Sequence, residues 1–154
     1  MKSVVAIGVL LFSCLAGAAE PLTFEAQLLR RLSARDGLPC AELFAERPAA
    51  QVQQVLLQIA DDEHAVPWVA PRAARCLVEV RGEQLDVRAA MVEWASDHGR
   101  PGLMLIVAYS LPSLPTDSVE ELLPLVQAQL AQQPRLKTLL TPALRSMMEP
   151  QRPE

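Results

Sequence analysis

Aromatic residues are scarce in this chain: two Trp, one Tyr and three Phe make up 4% of 154 residues. Six Gly with no three-residue period exclude a collagen-like fibre. Three Cys are too few for a disulfide-dense scaffold. None belongs to a Cys-x-x-Cys pair, which removes dithiol redox chemistry and the commonest zinc spacing. Only two His are present. Cations do not predominate either, since the formal net charge is -4, and this argues against a nucleic-acid binder. Beyond the first residues no apolar run approaches the ~20 residues of a bilayer span. The motifs Gly-x-Ser-x-Gly, Gly-x-Gly-x-x-Gly, His-Glu-x-x-His and the Walker loop do not occur. No catalytic residue, cofactor or metal ligand is therefore assigned, and the chain reads as non-enzymatic. What remains is 51% apolar and 21% charged, the balance of one globular domain rather than a disordered chain.

Residues 1–19 have the layout of a secretory signal peptide. Lys2 is the positive start, residues 4–12 are the apolar stretch, and residues 16–19 are small enough for a signal peptidase. Cleavage there leaves a more acidic chain, whose only lysine is Lys137. The expected location is the periplasm or the exterior. The alternative is a lipid anchor: Leu11-Phe-Ser-Cys14 resembles a lipobox, which would make Cys14 the acylated first residue of an envelope lipoprotein.

Two cysteines, Cys40 and Cys76, survive cleavage. An even pair in an exported chain predicts one disulfide, closing a loop worth about 3.5–4 kcal/mol in chain entropy. Two buried thiols are the alternative.

Apolar residues recur with a period of about 34 residues. Val69, Ala73, Cys76, Leu77 and Val80 share one helical face. The same spacing returns at Leu103, Val107, Ser110, Leu111 and Leu114, and again at Leu136, Leu140, Ala143, Leu144 and Met147. A second face precedes each: Val52, Leu56, Ile59 and Ala60, then Val87, Met91, Trp94 and Ala95, then Val119, Leu123, Val126 and Gln127. The pattern predicts an all-α chain over residues 20–150, built from helix pairs at 48–82, 83–116 and 117–150. Residues 22–47 form a helical cap, in which Phe24, Leu28, Leu29 and Leu32 make a stripe ended by Asp36-Gly37. Residues 151–154 form a disordered tail. Ser118-Val-Glu-Glu121 reads as a capping box opening the third pair, whereas Pro124 and Pro142 should kink a helix or shift its start.

The run Val69-Ala-Pro-Arg-Ala-Ala-Arg-Cys-Leu77 resembles the second-helix signature of HEAT-like repeats, and Asp86-Val-Arg-Ala-Ala90 resembles their Asp-x-x-Arg helix start. The resemblance spans residues 48–148 and weakens in the third pair, which lacks the Arg. It implies an α-α superhelix, a solenoid of about three pairs plus the cap, acting as a scaffold for another protein or peptide. It carries no catalytic residues across.

Polar candidates cluster in the turns. Asp61, Asp62, Glu63 and His64 lie in the first turn, and Asp97 and His98 lie in the second, with the two His 34 positions apart. They suggest an acidic recognition rim, with solvated turn polarity as the bland alternative and a metal-dependent enzyme as the remote one. Arg72 and Arg75 are candidates for a basic partner surface, or for a solvated helix face. Trp94 falls on a core face, whereas Trp68, in a turn, is the candidate exposed anchor.

Overall fold

Over residues 48–116 the apolar faces of the sequence become buried helix faces. The structure is a computed structural model and describes residues 22–34, 37 and 39–148. Among the described residues every regular element is helical and no strand occurs. The α-helices are α1 (Phe24–Ser33), α2 (Cys40–Ala45), α3 (Ala49–Asp61), α4 (Val69–Arg81), α5 (Leu85–Ser96), α6 (Pro101–Ser110), α7 (Thr116–Gln132) and α8 (Pro142–Met148). Leu111–Ser113 and Pro134–Leu139 are 3-10 helical. None of these helices is long and apolar enough to cross a membrane. The leader with Cys14, the turn residue Asp36 and the tail lie outside the described residues.

Helix α3 packs on α4, and α5 packs on both α6 and α7, while α4 also contacts α6. All eight residues of the first two leading faces, from Val52 to Ala95, are buried. So are Val69, Ala73, Cys76 and Leu77 of α4, and Leu103 and Val107 of α6. Proline sets two of the boundaries. Pro48 stands immediately before α3, and Pro101 occupies the first turn of α6, where a missing N–H costs no helical bond. At the end of α4 the Gly82 N–H bonds Val78 O at 3.1 Å. A Cβ at Gly82 would sit 2.7 Å from that oxygen and 3.3 Å from Leu114 Cδ2, so the close approach needs glycine.

The cap is tied to α4 by covalent and polar bonds. Cys40 and Cys76 form the disulfide, with Cα atoms 4.9 Å apart and both residues buried. Leu28 and Leu32 turn inward from α1, and the Arg47 guanidinium lies 5.2 Å from the centre of the Phe24 ring. Arg31 pairs with Glu46 at 2.8 Å, joining α1 to the end of α2.

Residues 117–150 depart from the expectation in three ways. The expected leading face, Val119, Leu123, Val126 and Gln127, is rotated: Ser118, Leu122, Val126, Gln129 and Leu130 are the buried residues of α7. Ser118 is inside α7 rather than its cap. The helix begins at Thr116, because Pro115 O already accepts from the N–H groups of Ser118 and Val119. The second helix, expected through Leu136–Leu140–Ala143–Leu144–Met147, is not continuous. Pro142 disfavours helical backbone at Thr141 and lacks an N–H, so the chain stops and restarts there. Thr141 Oγ1 caps the restart by accepting from Leu144 N–H at 3.4 Å. Leu140, Leu144 and Met148 then turn inward, and Met147 stays outside. Pro124, by contrast, is carried inside α7.

Candidate functional site

The turn between α3 and α4 and the turn between α5 and α6 enclose a cleft of about 610 Å³. Asp62 and Glu63 come from the first turn, and Asp97, Gly99 and Arg100 come from the second. Pro67, Pro71 and Pro101 supply stiff, apolar wall segments. Gly102 lets the walls close: a Cβ there would stand 3.1 Å from Pro71 Cγ.

One guanidinium joins the two turns. Arg100 Nε–H donates to Asp97 Oδ2 at 2.5 Å, and its Nη1 donates to Ala60 O at 3.4 Å, near the C-terminal end of α3. The same Nη1 lies 3.8 Å from Asp61 Oδ1. A cation at exposed helix carbonyls opposes the negative end of the helix dipole. Asp61 is engaged again from below, where the indole N–H of the buried Trp94 donates to its Oδ1 at 3.0 Å. Asp97 also accepts from Gly99 N–H at 2.7 Å. The Arg100 hydrogen bond holds the Asp97 carboxyl below the usual aspartate range, against a smaller opposing effect of burial.

These bonds sort the sequence candidates. Asp61 and Asp97 are structural acids, each spent on internal donors, and neither is a free rim carboxylate. Asp62 Oδ1 accepts from His64 N–H at 2.9 Å, which shapes the turn, and Glu63 is exposed. The two histidines, 34 positions apart, have different surroundings. The His64 side chain is 97% exposed. The His98 ring is held against α7: Nε2 lies 2.6 Å from Gln132 Oε1, and Nδ1 lies 3.1 Å from the Gln129 side-chain amide. Nδ1 also lies 3.1 Å from Ser96 O, so the ring is held by three polar groups. Among the described residues no three His, Cys, Asp or Glu side chains are grouped to hold a metal ion.

Arg72, expected on a partner surface, reaches back to the cap. Its Nη1 donates to Leu32 O at 2.8 Å and to Ala34 O. Trp68 is 55% exposed and borders a shallower hollow with Ser33, Ala34 and Arg72. Arg75 lies on another shallow groove, between α4 and α6, beside Ile106 and Tyr109.

Sequence reasoning missed three polar connections. Gln53 is buried in α3; its amide donates to Asp86 Oδ2, and its oxygen accepts from Arg81 Nε at 2.9 Å. Arg88 of α5 meets Asp117 at 2.9 Å and Glu121 at 3.0 Å on α7. Hydrogen bonding to Arg88 lowers the Asp117 carboxyl, and Asp117 in turn raises the Arg88 guanidinium. Arg100, which lines the cleft and bonds Asp97, is the third, although an Arg three residues after an Asp in a turn was a visible signal.

No protein-family model matches this chain, and no match was found among curated proteins or solved structures.

Proposed function

We propose that this chain is an exported, non-enzymatic interaction or assembly module, a HEAT-like solenoid that holds a segment of another protein in the cleft between its two turns. The cleft itself carries the reading. Its volume of about 610 Å³ lies in the range of ligand-binding clefts and admits a side chain with its flanking backbone. Two of its lining residues, Arg100 and Asp97, are already hydrogen-bonded to each other, so less order has to be created on binding. Helix pairs packed side by side support the solenoid, and the buried disulfide suits an oxidising compartment.

The test is crosslinked capture from envelope extract with tagged mature protein. Asp62→Lys/Glu63→Lys reverses the rim charge, and Ala65→Trp fills the cleft mouth. A partner captured by the wild type and lost by both variants supports the reading. Retention by both would move the binding surface to Trp68 or Arg75, and no specific partner at all would overturn the scaffold reading.

A further inference from the structure

We infer that the cleft receives a cationic side chain, Lys or Arg, carried on a short extended segment of the partner. This inference rests on the cleft being the binding surface. The lining holds three carboxylates, Asp62, Glu63 and Asp97, against one guanidinium, Arg100. Two of that guanidinium's three nitrogens are engaged, Nε by Asp97 and Nη1 by Ala60 O, with Asp61 Oδ1 3.8 Å from Nη1. What stays available at the mouth is acidic. Glu63 has no hydrogen-bond or ion-pair partner among the described residues, and Asp62 uses Oδ1 for His64 and leaves Oδ2 open.

The walls select the carrier of the charge. The ring methylenes of the three prolines suit the apolar stem of Lys or Arg. The space also exceeds that of a bare ion, and no metal-ligand group is present among the described residues. A side chain with its flanking backbone fills such a cleft, with the charge at the Asp62–Glu63 mouth and the stem along Pro67 and Pro71.

The probes are three capped peptides, Ala-Pro-X-Pro-Ala with X as Arg, Gln or Glu. They are titrated into 15N-labelled mature protein while the amide signals of Ala65, Gly99 and Gly102 are followed. The Arg peptide should bind tightest, weaken as salt is raised, and lose about fivefold in affinity for each carboxylate removed in Asp62→Asn and Glu63→Gln. Both residues are exposed, so circular dichroism of these variants should be unchanged. Equal binding of the Gln or Glu peptide, or no shift of the cleft amides with the Arg peptide, overturns the inference. A partner lost by Ala65→Trp but kept by the neutral double variant would leave the cleft standing and remove the cation. A partner kept by both would remove the cleft itself.

Discussion

Trp94 and Asp97 show how single residues hold the site. Replacing Trp94 by Phe keeps most of the ring volume but deletes the donor to Asp61. We expect a loss of about 1–2 kcal/mol in urea unfolding. Asp61→Asn, which keeps an acceptor oxygen, should cost less than half as much. Asp97 makes stability depend on acid. Its folded carboxyl titrates below the unfolded one, so its contribution is full above the ordinary aspartate range. That contribution is lost as pH falls through the lowered folded value. Thermal unfolding between pH 6 and about pH 2 should therefore show a steeper acid decline for wild type than for Asp97→Asn. A parallel decline would show that Arg100 gains nothing from the pair. These roles were hidden in the sequence for a simple reason. Asp61 followed by Asp62 and Glu63 looks like solvated turn polarity, and nothing local reveals that an indole 33 positions later donates into it.

The helices from α3 to α6 were legible because burial alone decides them. Val52 to Ala60 and Val87 to Ala95 keep one apolar side over about three turns, and short polar turns separate them from the next face. The C-terminal region was legible only in part. Leu136, Leu140, Ala143 and Leu144 keep the same spacing, but the spacing runs across Pro142, and backbone chemistry outranks side-chain periodicity there. In α7 apolar residues stand side by side at Leu122-Leu123 and Leu125-Val126, so periodicity could not choose the rotation. Leu122 is buried where Leu123 was expected, and Gln129 is buried with hydrogen bonds. Gly82 offers a test at this scale. Gly82→Ala must push a methyl against Val78 O and Leu114, and it should cost about 1–2 kcal/mol, or roughly 5 °C in Tm. Gly37→Ala is the control. A Cβ at Gly37 meets nothing within 4 Å, and its Tm should stay level or rise slightly.

Over the whole molecule the disulfide fastens the cap to the helices behind it. Residues 40 and 76 are 36 positions apart, and constraining that loop is worth about 4 kcal/mol of chain entropy. Cys40→Ser/Cys76→Ser should lose about that amount in urea unfolding, and hydrogen exchange should show α1 opening before α4. Both cysteines are buried, so dithiothreitol should reduce the native protein only as fast as the cap opens. Four of the polar links between helices share a reach. Gln53 to Asp86, Asp61 to Trp94 and Arg88 to Glu121 each span 33 positions, and His98 to Gln132 spans 34. In a chain delivered N-terminus first, each donor or acceptor meets its partner after the same delay. Assembly then advances like a ratchet, with no early group waiting for the last residue to emerge. Those four contacts of even, moderate reach carry similar loop-closure costs, a kinetic economy that favours fast folding over trapping.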